Sequence, residues 1–276
     1  VAKEKGQVFV SFDHRTLNVD GATKVIFMHD AWTLRDNPWQ RKEFSLVQSR
    51  KILRSLANSD HLFAPTKCAA SELLAYPRKL GVGVDVINWA PMITYFDKAV
   101  PSAKKLLMVA TLESRKNHEW TFELLKTLGK DWSLDLVGGL GFGHEKILSR
   151  IEILKSEGLD IEHHTKMDSK RLSKMYADSF AMICPSFEEG FGLTLLEALS
   201  VGLPVFASDI PAHVEVGANA VVFFDPMGTV NETAKNLKHM SSDSSEWKKV
   251  STLSKSRALN FSWDRSADEF IQCLQL

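Results

Sequence analysis

Cysteine is scarce in this chain of 276 residues: there are three, Cys68, Cys184 and Cys273, far apart in sequence. An odd, scattered set excludes a disulfide framework and a structural zinc site, and it points to a reducing, cytoplasmic compartment. Neither sign of charge is in surplus. The 34 Lys and Arg meet 34 Asp and Glu, which argues against a generally basic nucleic-acid binder. No apolar run nears the roughly 18–20 residues that a membrane span requires; the richest stretches, 104–112 and 220–224, are strand-length. The opening Val-Ala-Lys-Glu-Lys-Gly lacks the apolar core of a secretory signal. Internal repeats and low-complexity tracts are missing as well. What remains is ordinary globular composition, 44% hydrophobic and 25% charged, at a length that suggests two domains. Residues 1–100 hold 14 basic and 10 acidic side chains, a small surplus that hints at an anionic ligand or lipid surface.

Strand-length apolar runs alternate with amphipathic helical patterns almost throughout. The front half has strand runs at 8–12, 24–28, 61–64 and 84–88, with helices at 41–57 and 69–74. A proline-bounded linker at 91–101 follows. The alternation then restarts, with strands at 106–110, 134–137, 160–163, 180–184, 205–207 and 220–224. Helices are predicted at 119–128, 144–157, 169–177, 193–201, 229–240, 245–260 and 263–274. Such alternation predicts parallel sheets wrapped on both faces, in two Rossmann-like halves. The first domain is expected over 1–97 and the second over 98–276. The first half is short for a doubly wound domain and lacks an opening strand–glycine turn–helix unit.

One stretch carries chemistry: Pro185-Ser-Phe-Glu-Glu-Gly-Phe-Gly-Leu-Thr-Leu-Leu-Glu197-Ala-Leu-Ser-Val-Gly-Leu-Pro204-Val. It leaves a buried strand and opens a helix. Gly190 and Gly192 allow a tight turn and close approach of backbone to a ligand. The helix beginning near Leu193 aims its unpaired amides and positive dipole end at the same spot, as an anion site requires. Glu189 sits in the turn and Glu197 about one turn into the helix. Carboxylates repel phosphate, so these two suit sugar hydroxyls, and a phosphate–sugar pair is the natural ligand. A strand–turn–helix that served packing alone would not need two glycines flanking Phe191.

These residues resemble family 4 of the retaining GT-B glycosyltransferases, with its Glu-x7-Glu motif. Leu107-Met-Val-Ala-Thr-Leu-Glu-Ser-Arg115-Lys116-Asn117 is similar to the first strand and loop of that family's nucleotide domain. The resemblance implies that Lys116, with Arg115, grips the donor diphosphate; Thr111 stands where many relatives carry an arginine. It also implies that Glu197 holds ribose hydroxyls, while Glu189 and the backbone of Gly190, Phe191, Gly192 and Leu193 hold the sugar. No metal or other cofactor is implied, because fixed cations and the helix N-terminus stabilise the leaving diphosphate. Residues 208–215 resemble the loop after the Glu-motif helix, with Glu215 structural, and Phe261-Ser-Trp-Asp-Arg resembles the start of a terminal helix that packs back on the first domain. The glycine run 138–143 reads as a plain turn.

In the front half, Val25-Ile-Phe-Met-His29-Asp30 resembles the family strand that ends in His-Asp, whose histidine faces the transferred sugar across the cleft between the domains. The family's opening βαβ units would precede Val8. Residues 39–57 combine Arg41, Lys42, Arg50, Lys51 and Arg54 with Trp39, Phe44, Val47, Leu53 and Leu56. That helix either rests on anionic lipid or covers the sheet with a solvated charged face. The resemblance implies transfer of a hexose, mannose favoured, from GDP- or UDP-sugar to a hydroxyl of a glycan or lipid-linked glycan in polysaccharide biosynthesis. Two alternatives stay open: a non-catalytic GT-B module that binds a nucleotide or partner, and a sugar-nucleotide epimerase.

Overall fold

The computed structural model describes residues 7–12, 21–35, 38, 42–93, 100–101 and 103–274, with only the backbone of residues 42–45. Trp39, Arg41, the side chains of Lys42 and Phe44, and much of the 91–101 linker lie outside the described residues. Short apolar runs, several of them rich in valine and phenylalanine, form strands in two separate parallel sheets. The chain divides into two compact units. One takes in the chain up to Ala90 together with Glu189–Phe191 and Phe261–Leu276, and the other takes in Pro91–Glu188 and Gly192–Asn260.

In the first unit, β1 (Val8–Ser11), β2 (Thr23–Phe27), β3 (His61–Ala64) and β4 (Val84–Val86) lie side by side in chain order, all parallel. The four strand runs expected of the first half thus form one described sheet. Helix α1 (Lys42–Asn58) joins β2 to β3, and α2 (Lys67–Leu74) joins β3 to β4. Thr66 caps α2, accepting from the Ala69 amide at 3.0 Å, which satisfies one of the donors a helix start leaves open. Helix α1 turns Ile52, Ser55 and Leu56 into the core. Of the apolar positions that the sequence grouped on this helix, Leu56 is buried, but Val47 and Leu53 face solvent, along with Leu46. The terminal helix α10 (Trp263–Leu274) belongs to this unit. Its Phe270 ring lies 5.5 Å from that of Phe27 and 5.3 Å from that of Phe63, and the Ser266 hydroxyl donates to the Asn88 carbonyl at 2.6 Å.

The second unit holds β5 (Lys105–Val109), β6 (Ser133–Val137), β7 (Asp160–His164), β8 (Ala181–Cys184), β9 (Val205–Ser208) and β10 (Val221–Phe224). Their spatial order is β10-β9-β8-β5-β6-β7, all parallel. Numbered from β5, this is the doubly wound order 3-2-1-4-5-6, with its topological switch point between β5 and β8. Helices α3 (His118–Leu128), α4 (His144–Ser156), α5 (Ser169–Asp178) and α6 (Leu193–Ser200) connect successive strands, and α8 (Asn231–Ser242) and α9 (Ser244–Ala258) follow β10. Residues 208–215 are not a loop throughout: Pro211–Gly217 forms a further helix, α7, with Pro211 at its first turn. Proline suits that position because its missing amide would have no partner there. Trp132 and Trp247 are fully buried in the core, and the Trp247 indole donates to the Phe180 carbonyl at 2.9 Å.

The glycine run after β6 is more than a turn. Leu112 donates to the Gly139 carbonyl at 2.9 Å and Gly141 donates to the Leu112 carbonyl at 3.0 Å, so pairing continues past the ends of β5 and β6. Gly138 lies so close to this neighbour that a Cβ there would collide with the Ala110 carbonyl. Gly138→Ala is expected to cost about 3 kcal/mol, the upper range for overpacking against backbone that cannot yield. Gly139→Ala, whose Cβ would meet open space, serves as the control. Urea denaturation midpoints of the two variants check this.

Candidate active site

The two motifs of the second unit follow β5 and β8, the strands that flank the switch point, where ligands of open parallel sheets bind. After β5 the chain passes through a tight helical turn, Ser114–Lys116, into Asn117, which adopts the left-handed conformation at φ 54°. Asparagine tolerates that region better than other non-glycine residues. Its side-chain amide donates to the Pro226 carbonyl at 3.0 Å. Lys116 stands at the end of this turn, half-buried. Arg115 is largely engaged within the loops: its guanidinium pairs with Glu113 at 2.7 Å and donates to the Glu188 carbonyl. In return the Phe187 amide donates to the Arg115 carbonyl at 2.9 Å. The loops after β5 and β8 are therefore stitched together, with Arg115 as the brace.

Gly192 caps α6 in a left-handed conformation, φ 93°, that L side chains rarely adopt. A Cβ there would also press on the His213 ring at 3.1 Å. His213, on α7, is itself buried and is held by Ser208, whose hydroxyl lies 3.1 Å from Nδ1. Leu193 begins α6, and its first-turn amides have no acceptors within the helix. Glu197 follows one turn in, 8% exposed. Sequence reasoning missed the residue that holds it: Tyr176 of α5 is fully buried and donates to Glu197 Oε2 at 3.0 Å. Burial pushes the Glu197 carboxyl above its ordinary value, and the Tyr176 hydrogen bond pulls the other way. The Tyr176 hydroxyl is pushed well above its usual range, chiefly by burial and then by the charge of Glu197. Tyr176 is an apolar-phase position on an ordinary amphipathic helix, so nothing in its spacing sets it apart from core.

The remaining predicted residues lie in the first unit. Glu189 is half-buried. Gly190 packs so tightly that a Cβ would collide with the His29 carbonyl, and its own carbonyl accepts from the Thr66 hydroxyl at 2.8 Å. The Phe191 ring is buried near Trp89 and Phe261, with centroids 5.6 and 6.1 Å away, so the side chain anchors the bend. His29 follows β2, its ring edge-on to Trp89 at 4.8 Å. Its Nε2 lies 2.7 Å from the Phe12 carbonyl, while Nδ1 is shielded from solvent with no hydrogen-bond partner among the described residues.

A family model described as "Glycosyl transferases group 1" matches residues 96–257. The serotype-specific mannosyltransferase WbdA of Escherichia coli is 33% identical over 139 residues, which is 46% of this chain and 16% of WbdA. The O-antigen chain mannosyltransferase B of Escherichia coli is 29% identical over 175 residues, 62% of this chain and 45% of that protein. The matches thus span less than half the length of these curated relatives. Among solved structures, sucrose-phosphate synthase from Thermosynechococcus elongatus superposes with a TM-score of 0.73 at 18% identity, covering 92% of this chain and 68% of that one. Anabaena HepE in complex with UDP and glucose gives 0.74 at 16% identity, covering 92% and 72%. These likenesses establish the two-domain parallel α/β fold of the GT-B type.

Proposed function

This chain belongs to the group 1 glycosyl transferases, and on that premise we propose that it moves a hexose, with mannose favoured, from a nucleotide diphosphate sugar to a hydroxyl of a glycan or lipid-linked glycan with retention of configuration. The observation that carries this reading is the pairing of loops after β5 and β8, with α6 opening beside them and a buried, hydrogen-bonded carboxylate one turn in. Lys116 and the first amides of α6 take the diphosphate. As the glycosidic bond breaks, charge builds on the leaving phosphate, and cations already in place stabilise that state more than the ground state. Arg115 keeps the two loops in register and adds its charge. Glu197 accepts from the ribose hydroxyls, while Glu189, the 190–193 backbone and His29 serve the transferred sugar. No bound metal is needed in this scheme, since Lys116 and the helix dipole supply the charge. The acceptor attacks the face that the phosphate leaves, and the departing phosphate oxygen takes its proton.

Two measurements test the scheme. In a thermal-shift panel of GDP, UDP, GDP-mannose and UDP-hexoses, the donor and its nucleoside diphosphate are expected to raise Tm, since a ligand at 100 Kd adds about 2.7 kcal/mol; Lys116→Ala removes the shift. Transfer followed by NMR is expected to give an α-linked product, and a β-linked one would overturn the retaining mechanism. GDP favoured over UDP supports the mannosyl assignment.

For location we propose a peripheral place on the cytoplasmic face of a membrane. Among the described residues no helix is long and apolar enough to cross one. The outward face of α1 leaves Leu46 62% and Val47 53% exposed, with Leu53, among exposed Arg50, Lys51 and Arg54. Apolar side chains interleaved with cations suit an anionic headgroup layer. Flotation with vesicles containing phosphatidylglycerol is expected to carry the protein, and the charge reversals Arg50→Glu and Arg54→Glu to leave it behind. Equal flotation of wild type and variant would remove α1 from the interface.

A further inference from the structure

Thr66 follows β3, opens α2 and is fully buried. Its hydroxyl has two partners, and their chemistry fixes where its proton lies. The Ala69 amide, 3.0 Å away, can only donate, so it takes a lone pair. The Gly190 carbonyl, 2.8 Å away and 124 residues further along the chain, can only accept, so it takes the proton. One side-chain oxygen thus caps a helix and holds the glycine bend. Its own place is fixed in turn. The Asn88 side-chain amide donates to the Pro65 carbonyl at 2.8 Å, and the Ser266 hydroxyl holds the Asn88 carbonyl. All of these residues lie in the first unit.

What Thr66 sets is a direction. The Gly190–Phe191 peptide is trans, and in a planar trans peptide the carbonyl and the amide point opposite ways. Holding the Gly190 carbonyl at Thr66 therefore aims the Phe191 amide away from Thr66. Among the described residues none accepts from that amide. The peptide is confined on both sides: a Cβ on Gly190 would strike the His29 carbonyl, and the Phe191 ring is buried. What freedom is left lies in the backbone torsions of Gly190, where glycine resists rotation least. The bond from Thr66 removes it.

Resting on the transferase reading, we propose that Thr66 is a positioning residue: by holding the Gly190 carbonyl it aims the Phe191 amide at a hydroxyl of the transferred hexose. Thr66 itself touches neither the donor nor the reacting atoms. The test is titration calorimetry on the whole chain. It compares GDP with GDP-mannose, and UDP with UDP-glucose, UDP-galactose and UDP-N-acetylglucosamine. Thr66→Gly removes the proton donor, while glycine remains a tolerated N-cap. Its Kd for the sugar nucleotide is expected to rise about tenfold, the weight of one hydrogen bond. Its Kd for the matching nucleoside diphosphate is expected to stay within about twofold of wild type. Thr66→Val, similar in shape but lacking both bonds, should show the same split, and Thr66→Ser, which keeps both, should match wild type. Circular dichroism confirms that the variants fold. The proposal is overturned if folded Thr66→Gly and Thr66→Val bind the sugar nucleotide like wild type. It is also overturned if they lose the diphosphate in equal proportion, or if Thr66→Ser behaves as Thr66→Gly does. A wild type that binds no member of the panel would sink the transferase reading itself. Wild-type binding with an unchanged sugar increment in the variants sinks the role of Thr66 alone.

Discussion

Glu197→Ala is expected to weaken binding of the donor nucleotide about 100-fold, with overall stability falling by less. A carboxylate accepting from two ribose hydroxyls makes charge-assisted hydrogen bonds of about 1.5–3 kcal/mol each, and roughly 3 kcal/mol in total corresponds to that factor. The same substitution removes the partner that Tyr176 reaches at 3.0 Å, while the Thr194 carbonyl stays within 3.4 Å of its hydroxyl. Tyr176→Phe then reports on positioning alone. It deletes the bond that opposes the effect of burial on Glu197, so the carboxyl is expected to titrate higher still. Nucleotide affinity should fall with acidification sooner in Tyr176→Phe than in wild type. Isothermal titration across pH 5–8 gives both answers. Identical pH profiles would make Tyr176 mere filling.

Acidification is also expected to strip stability from the second unit through His118, the first residue of α3. This side chain is 2% exposed. Burial first, and the nearby charge of Lys116 second, push its pKa from 6.5 to about 4. The Glu113 backbone pulls the other way more weakly, and among the described residues neither ring nitrogen has a hydrogen-bond partner. Between pH 6.5 and 4 the unfolded chain binds more protons than the folded one, so stability rises with pH in that window. It is complete above about 6.5 and lost on the way down. The loss is about 2 kcal/mol at pH 5 and about 3 kcal/mol at pH 4, from the difference between the two pKa values. His118→Leu should flatten this dependence while leaving stability at pH 7 equal or higher, since it replaces an unpartnered polar ring with an apolar side chain. Urea midpoints at pH 7 and 5 for the two proteins decide it. A parallel fall in both would move the acid sensitivity elsewhere.

The alternation of strands and helices was legible because each element buries one face and repeats its period, as in the six strands and most helices of the second unit. Helix α7 was not. It has seven residues, and Ile210 before it makes no side-chain cap, so Pro211 was the one visible sign. On α1 the phase went astray because a small polar residue, Ser55, is buried while Val47 and Leu53 are not; hydrophobicity alone assigns those positions the other way. Within the Glu-Gly-Phe-Gly block, Gly192 answers a local backbone demand, the left-handed turn that opens α6, whereas Gly190 is required by the distant His29 carbonyl. Partners distant in sequence, such as Tyr176 for Glu197 or Glu188 for Arg115, depend on how strands stack, and no local pattern encodes them.

The mutual grip of the loops that follow β5 and β8 bears on kinetics. Arg115 already holds the Glu188 carbonyl and receives the Phe187 amide, so the cradle has little conformational freedom left to surrender when a nucleotide arrives. Preorganisation of this kind lowers the entropic cost of association. A nucleotide is then expected to bind without a slow rearrangement of these two loops.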